Sequence, residues 1–204
     1  RFEDVVVDWF RQVCDALIYL HSIDPPIVYR DFKPSNIMLD RSGRIRIIDF
    51  GIAQEYSPDE SARVEVQALT RGYAAPEQYN RKYMLDVRTD IYALGVTMHY
   101  LLTGKDPNQP PYVFRPARKL RPDASPGIEY ILVKCLQPNP DKRYENAKML
   151  MEDLTGIDDL NKRLRTKAIG RRILIAAACV IVIAVAGIVY SVNFQSRSSD
   201  IESY

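Results

Sequence analysis

The chain has 204 residues and a mass of 23.4 kDa, which is room for one ordinary domain with an appendage and too little for a multidomain enzyme. The 28 Lys and Arg nearly balance the 26 Asp and Glu, so the net charge is only +2 and no nucleic-acid partner is expected. Cys14, Cys135 and Cys179 are odd in number and widely spaced, which argues against a disulfide framework or a zinc site and favours a reducing compartment. His21 and His99 lack the spacing of metal ligands, so we expect them to pack against helices or to cap them.

The first residues predict a helix in a chain that starts inside a longer protein. Arg1 takes the place of an initiator Met, and no signal peptide follows it. Between Val5 and Leu20 the apolar residues recur at three- and four-residue steps, which predicts an amphipathic helix. The helix should end before Pro25 and Pro26, because proline lacks the amide hydrogen that a helix interior needs.

A short hairpin and further helices are predicted next. Residues 36–39 and 45–48 are two apolar runs joined by a Gly-containing loop, which is the pattern of a β-hairpin. Residues 89–103 predict a buried, central helix that ends at a glycine. Residues 107–126 contain six prolines and therefore cannot form mostly regular helix. Helical periodicity returns twice more, at residues 128–136 and 144–154.

Residues 173–192 form an apolar run of 20 positions without a charged side chain. A helix of this length spans about 30 Å, the thickness of the hydrocarbon core of a bilayer. A buried helix of a soluble protein is rarely apolar on all sides, and the late position excludes a processed signal. We therefore expect one transmembrane helix. Its Ala-rich composition would allow a homodimer, although such faces are common in membrane helices.

The charges beside this run predict its orientation. Residues 162–172 carry six cations and no acid, whereas residues 193–204 carry one cation and two acids. By the positive-inside rule, residues 1–172 lie in the cytoplasm and the C-terminus lies on the other side of the cell membrane. The basic run either binds anionic lipid headgroups or acts only as a topology signal. The predicted organisation is a globular region at 1–160, a basic juxtamembrane segment at 161–172, a transmembrane helix at 173–192 and an extracytoplasmic tail, or the start of an outer region, at 193–204.

Three motifs in a fixed order point to one chemistry. Tyr29-Arg-Asp-Phe-Lys-Pro-Ser-Asn36 is followed, thirteen residues after its last residue, by Asp49-Phe-Gly51 and later by Ala75-Pro-Glu77. This set resembles the protein kinase family, and Tyr29-Arg-Asp with Gly72-Tyr-Ala-Ala-Pro-Glu-Gln78 is similar to membrane-anchored bacterial serine/threonine kinases. The resemblance covers the C-terminal lobe and the membrane anchor. It implies a mainly α (α+β) fold: a protein-kinase-like C-terminal lobe with a small β-hairpin, followed by one transmembrane helix.

The residue types in these motifs suit phosphoryl transfer, which needs cations, metal-binding oxygens and a carboxylate near the nucleophile. Asp31 would accept or orient the proton of an incoming hydroxyl, and Lys33 would lie against the transferred phosphate of ATP. Asn36 and Asp49 offer hard oxygen ligands for Mg²⁺ (or Mn²⁺) at two strand ends that the hairpin brings together. By the resemblance, the nucleotide-binding residues are Lys33, Ser35, Asn36, Met38 and Asp49, with Met38 under the adenine or simply packed in the core.

The resemblance also implies an activation segment from about Asp49 to Glu77. Arg30 would bind a phosphorylated residue of this segment. Ser57 and Ser61 are candidates for that residue. The alternative is that both are solvated loop serines without a regulatory role. Thr70 matches the threonine that, in serine/threonine kinases, reaches back toward the catalytic Asp and Lys.

Two buried interactions are expected to support the site. Glu77 would pair with Arg143, and Asp90 would hydrogen-bond the backbone of the catalytic loop, which the resemblance assigns to Tyr29–Asn36. Breaking either would strand a buried charge at a cost of about 3–5 kcal/mol. Tyr29 and Phe32 stand where the family usually has His and Leu, and both keep an apolar body. We therefore expect altered packing there without loss of chemistry.

Lys33-Pro34 and Thr70 match the serine/threonine branch, so the expected substrates are Ser and Thr hydroxyls of proteins in membrane-associated signalling. The 204 residues contain no G-x-G-x-x-G loop and no V-A-I-K strand. We therefore expect a fragment that lacks the N-terminal lobe, binds ATP poorly and is inactive alone. A membrane-tethered pseudokinase or docking scaffold is the main alternative, which the intact Asp31, Lys33, Asn36 and Asp49 disfavour. A small-molecule kinase is disfavoured by the Ala-Pro-Glu loop, which suits a protein substrate.

Overall fold

The structure is a computed structural model that describes residues 1–49, 54–55, 70–79, 85–110 and 113–201. The contacts between residues divide the chain into two units, Arg1–Asn161, which we call the globular unit, and Lys162–Tyr204. The described residues are mainly helical and form two small sheets, which confirms the predicted mainly α (α+β) class.

Helices form most of the described chain. They are α1 (Phe2–His21), α2 (Pro76–Tyr79), α3 (Val87–Thr103), α4 (Ala117–Leu120), α5 (Pro126–Cys135), α6 (Ala147–Thr155) and α7 (Ile157–Ile201). The strands are short: β1 (Ile27–Val28), β2 (Ile37–Leu39), β3 (Ile45–Ile47) and β4 (Gln54–Glu55), with β1 antiparallel to β4 and β2 antiparallel to β3. The described residues also form 3-10 turns at Pro34–Asn36 and Pro140–Lys142. These bounds confirm the predicted helices and hairpin.

Helix α1 packs its apolar face into the core of the globular unit. Phe10, Val13 and Leu17 recur at three- and four-residue steps and are almost fully buried. They face a core to which α3 and α6 also contribute. At the start of the helix, Glu3 is buried and accepts a hydrogen bond from the backbone N–H of Ser125 at 2.7 Å. The predicted amphipathic helix is therefore fixed at its first turn as well as along its face.

Strands β2 and β3 form the predicted antiparallel hairpin, with Ile37 opposite Ile47. The loop closes on Asp40, whose carboxylate accepts hydrogen bonds from the backbone N–H groups of Ser42 (2.8 Å) and Arg44 (3.0 Å). Donors around it, the Ser42 hydroxyl first among them, lower the pKa of Asp40 to about 2. The hairpin brings the residue before β2 next to the residues after β3.

Helix α3 is the central helix of the globular unit. Asp86 caps its start by accepting a hydrogen bond from the backbone N–H of Arg88 at 2.8 Å. Gly104 ends it in the left-handed conformation, with φ at 69°, which glycine adopts without steric cost. Side chains on several faces of the helix, including Ile91 and Leu94, are fully buried. The predicted buried central helix is confirmed.

The close approach of α3 and α5 depends on a glycine. A carbon atom added at Gly95 would lie 2.5 Å from Cβ of Cys135, which is closer than carbon atoms pack. Cys135 is fully buried, and this burial raises the pKa of its thiol. It therefore behaves as a small core residue rather than as a reactive thiol.

Gly95→Ala should lower the melting temperature of the detergent-solubilised chain. Overpacking a core costs about 1–3 kcal/mol, whereas the same change in an exposed helix stabilises it by about 1 kcal/mol. Gly170→Ala is the matched control, because among the described residues nothing besides the neighbouring backbone of its own helix lies within 4 Å of the added carbon. Circular dichroism during heating measures both. A melting temperature for Gly95→Ala at or above that of the parent would contradict the close approach.

Helix α7 contains the apolar run. Among the described residues, Ile157–Ala186 is the one segment long and apolar enough to cross a membrane, judged by length and composition. The large apolar side chains between Ile173 and Val185 are exposed, and those of Leu174 and Ile183 each expose 71% of their surface. Exposed apolar surface of this extent is stable in lipid rather than in water. The limits 173–192 for the membrane-spanning part stay a prediction.

Candidate active site

The carboxylate of Asp90, in the first turn of α3, holds the loop that precedes β2. It is fully buried and accepts hydrogen bonds from the backbone N–H groups of Tyr29 (2.8 Å) and Arg30 (2.7 Å). His21 Nε2 lies 2.9 Å from the same carboxylate. Hydrogen bonds to a buried charge are strong because little solvent competes with them. They fix the backbone where Arg30 takes the left-handed φ of 71°, which is strained for a residue other than glycine.

Asp31, Lys33 and Thr70 form a closed triangle of polar contacts. Lys33 Nζ lies 2.6 Å from Asp31 Oδ2 and donates a hydrogen bond to Thr70 Oγ1 at 2.8 Å. The Thr70 hydroxyl in turn donates to Asp31 Oδ1 at 2.8 Å. The Asp31 and Lys33 side chains expose 13% and 23% of their surface, so both are partly desolvated and still open to a substrate. The fold thus brings together three residues that lie up to 39 positions apart in the sequence.

Asn36 completes this polar cluster. Its side-chain nitrogen donates to the backbone carbonyl (3.0 Å) and to Oδ2 (2.9 Å) of Asp31. The two N–H groups of the Asn36 side chain are therefore both directed toward Asp31. The amide oxygen is turned away toward Ser35, whose hydroxyl lies 3.4 Å from it. It is therefore the atom of Asn36 that could meet a cation.

The hairpin places Asp49 near Asn36. The backbone N–H of Ile48 donates to the Asn36 carbonyl at 2.9 Å, so the pairing of β2 with β3 continues one residue past the strands and Asp49 comes next. Asp49 has a left-handed φ of 64°, which is strained backbone of the kind found at functional sites. A carboxylate and an amide oxygen are hard ligands that suit Mg²⁺.

The donor set near Asn36 and Asp49 suits a metal that shares its ligands with a substrate. In the part of the chain that the structure describes, no group of three or more His, Cys, Asp or Glu could hold a metal ion by itself. Mg²⁺ commonly binds through one or two protein ligands, with water and substrate phosphates filling the other positions. The residues present therefore fit Mg²⁺ bound together with a phosphorylated substrate.

The Tyr29 hydroxyl makes a contact that the sequence pattern does not reveal. It donates to the backbone carbonyl of Ile48 at 2.6 Å and lies 2.9 Å from the carbonyl of Asp49. Burial raises the pKa of Tyr29 to about 12, so the phenol stays protonated and remains a donor at neutral pH. Its ring packs edge-on against Phe32, with 5.5 Å between the ring centres. Tyr29 therefore does more than alter the packing: it ties the catalytic loop to the backbone around Asp49.

Arg30 is the residue that the family resemblance assigns to a phosphorylated residue of the activation segment. Its side chain is largely buried, and this burial lowers the pKa of the guanidinium against the opposing effect of nearby Asp90. A cation in such surroundings gains strongly from an anionic partner. Ser57 and Ser61, the predicted partners, lie outside the described residues. The role of Arg30 toward the activation segment stays a prediction.

Two of the predicted nucleotide-binding residues lie on exposed surface. Met38 and its neighbour Leu39 in β2 expose 54% and 51% of their surface. Met38 is therefore not a core residue of the described structure, and its alternative interpretation as simple core packing is wrong. Ser35 is exposed as well. Contact of these two residues with a nucleotide stays a prediction.

Glu77 and Arg143 form a buried, two-pronged ion pair. Glu77 Oε1 and Oε2 accept hydrogen bonds from Arg143 Nη1 (2.6 Å) and Nη2 (2.8 Å), and the two side chains expose only 1% and 0% of their surface. Thr89 Oγ1 adds a donor to Glu77 at 3.1 Å. Arg143 also donates to the carbonyls of Gln137 and Pro138. Both buried charges therefore have several hydrogen-bond partners. Through these bonds the pair joins α2 to α3 and to the turn after α5.

Removing one partner of this pair should destabilise the fold strongly. We expect Glu77→Gln and Arg143→Met each to lower the free energy of unfolding by about 3–5 kcal/mol, because each strands the other charge. In the double variant the loss should be smaller than the sum of the two single losses.

Asp141→Asn is the control for this measurement. Asp141 pairs with Arg88 at 2.7 Å, but its side chain is 71% exposed, so its removal should cost only about 0–1 kcal/mol. Urea unfolding of the four variants gives the comparison. Single variants of the buried pair that cost no more than Asp141→Asn would contradict its structural role.

Comparison with known proteins identifies the family. Residues 2–163 match the protein kinase domain. Because this match covers well over half of the chain, the chain belongs to the protein kinase family. The resemblance carried by the three motifs is thereby confirmed.

The relatives with curated names include serine/threonine-protein kinases of bacteria and yeast. The chain is 30% identical over 166 residues to serine/threonine-protein kinase PknB of Mycolicibacterium smegmatis and 30% identical over 164 residues to PknB of Mycobacterium tuberculosis. It is 35% identical over 155 residues to serine/threonine-protein kinase CHK1 of Saccharomyces cerevisiae. These alignments cover 75%, 74% and 69% of the chain but 26%, 26% and 29% of the relatives. The chain thus spans about a quarter of the length of the curated relatives that it matches.

Proposed function

We propose that this chain is the catalytic-loop half of a serine/threonine protein kinase, which transfers the γ-phosphoryl group of ATP to Ser and Thr hydroxyls of proteins. The observation that carries the proposal is the triangle in which Lys33 contacts both Asp31 and Thr70. Phosphoryl transfer requires a carboxylate near the nucleophile and a cation near the transferred group, side by side. The names of the relatives support the choice of Ser and Thr as acceptors.

Asp31 would take the proton of the substrate hydroxyl. As the bond between the hydroxyl oxygen and the γ-phosphorus forms, the bond from that phosphorus to ADP breaks and the proton passes to the carboxylate. Hydrogen bonds from Thr70 and Asn36 hold the Asp31 carboxylate in one orientation before the substrate arrives. Lys33 would stabilise the negative charge on the phosphoryl group as it moves.

Asn36 and Asp49 would hold Mg²⁺ (or Mn²⁺) together with the phosphates of ATP. When bound, the metal would neutralise phosphate charge and so favour departure of ADP. Asn36 keeps its amide oxygen directed away from Asp31 by donating both hydrogens toward that residue. Met38 would offer its exposed side chain to the adenine, and Ser35 would lie beside the phosphates.

The proposed enzyme includes parts beyond these residues. A kinase also needs a Gly-rich loop and a lysine that clamp the nucleotide, and neither motif occurs in the 204 residues. The chain alone would therefore bind ATP poorly and transfer little phosphate.

The membrane is the proposed location. We place residues 173–192 across the cell membrane as a single pass, with residues 1–172 in the cytoplasm. The support is the exposed apolar run of α7 and the cations at 162–172, which precede this run in the same helix. The C-terminus would lie on the extracytoplasmic side, and protein substrates would meet the site in the cytoplasm.

The proposal is tested on the full-length protein that contains this chain, with radiolabelled ATP and a generic protein substrate. We expect Asp31→Asn to lower phosphate transfer by about 10²–10⁴-fold, because the variant cannot accept the hydroxyl proton. Asp141→Asn, a change at an exposed carboxylate outside the site, is the matched control and should leave transfer unchanged.

Phosphoamino acid analysis of the same samples identifies the acceptor. Label on Ser or Thr that disappears in Asp31→Asn would support the kinase. If the parent protein transfers as little phosphate as Asp31→Asn does, a membrane-tethered docking scaffold would be favoured instead. Label on Tyr alone would overturn the serine/threonine assignment.

A further inference from the structure

The net positive charge of this chain is concentrated in one helical segment. Residues 1–161 carry 21 Lys and Arg against 24 Asp and Glu, so the globular unit is slightly acidic. Residues 162–172 carry six cations and no acid. The six are Lys162, Arg163, Arg165, Lys167, Arg171 and Arg172, and all of them are exposed. The segment belongs to α7, the same continuous helix that contains the apolar run.

The six cations surround the helix instead of lining one face. At about 100° per residue, their directions around the axis leave no gap wider than about 100°. We name this arrangement the cationic collar. A helix that lies flat on a membrane would gather its cations on one side, with a stripe of apolar residues opposite them. The cationic collar instead suits an environment that contacts the helix on every side.

The headgroup layer of a bilayer supplies such surroundings. Each layer is roughly 5–8 Å thick between the hydrocarbon core and water. Arg171 and Arg172 directly precede the apolar run and would lie inside this layer. Lys162, the most distant cation, is about 15 Å from Arg172 along the axis. It would lie within about one Debye length of the charged surface at physiological salt.

We propose that the cationic collar binds anionic phospholipid headgroups and enriches them around the helix. The proposal rests on the membrane anchoring proposed above and adds a preference for lipid charge. Each Lys or Arg near an anionic surface raises the affinity by about fivefold. The net charge of the globular unit does not supply this attraction, because it has the same sign as that of the lipids.

An acidic protein partner explains the collar less well. A protein packs against one face of a helix, which would leave the cations on the far side without a role. A topology signal alone requires cations near the apolar run and predicts no preference for a particular lipid once the helix is inserted. The lipid preference of the inserted chain therefore separates these explanations.

The test uses the full 204-residue chain in vesicles of phosphatidylcholine with a minor fraction of phosphatidylglycerol. Electron paramagnetic resonance of spin-labelled lipids measures which lipid is immobilised at the protein. We expect a preference of about fivefold for spin-labelled phosphatidylglycerol over phosphatidylcholine. The preference should weaken in 1 M salt, where the Debye length falls to about 3 Å.

Two matched variants isolate the collar. Changing its six cations to Gln should abolish the preference. The control changes six exposed cations of the globular unit to Gln and should retain it; these are Arg41, Arg44, Lys105, Lys119, Lys142 and Lys148.

Flotation of the same vesicles distinguishes the two proposals. A chain that floats with the vesicles but immobilises both lipids equally would overturn the collar and leave the anchoring intact. A preference that is equal in the collar variant and the control would also overturn it. A chain that fails to float at all would overturn the anchoring, and the collar with it.

Discussion

One fully buried carboxylate, Asp90, holds the catalytic loop in place. A charge inside a core is stable only when donors surround it, and Asp90 has the backbone N–H groups of Tyr29 and Arg30, with His21 beside them. Because these donors come from the loop itself, the carboxylate and the loop conformation stabilise each other. Helix α3 in turn fixes Asp90, since it is capped at both ends and buried on several faces. The central helix of the globular unit thus positions the loop that contains Asp31 and Lys33.

The geometry of the site follows from this anchor. With the backbone of Arg30 fixed, Asp31 comes next in the chain and meets Lys33, Asn36 and Thr70 within hydrogen-bond distance. The Tyr29 hydroxyl then extends the fixed region to the backbone around Asp49. A site for phosphoryl transfer gains its rate from groups held in position before the substrate arrives. Hydrogen bonds to backbone atoms hold the loop, and the contacts of Asp31 with Asn36, Thr70 and Lys33 orient its carboxylate.

Local signals made much of the fold predictable. Apolar periodicity and proline positions indicated α1 and α3, and the two apolar runs around a Gly-containing loop indicated the hairpin. The grouping of Asp31 with Thr70 came from the resemblance to a family, since nothing local relates residues 39 positions apart. The contact of His21 with Asp90, 69 positions apart, and the role of the Tyr29 hydroxyl were not predictable. Both depend on how α1 packs beside α3 and on how the loop folds over the hairpin, which are properties of the tertiary structure.

Amide hydrogen exchange in Asp90→Asn tests the central claim most directly. The substitution keeps the size of the side chain but presents an NH₂ group to one of the two backbone donors, so one hydrogen bond must be lost. Asp123→Asn, at an exposed carboxylate, is the control. We predict that exchange at the amides of Tyr29 and Arg30 accelerates far more than exchange at Phe10 and Leu17 in α1. Equal acceleration at all four amides, or none at Tyr29 and Arg30, would contradict the claim that Asp90 holds the catalytic loop.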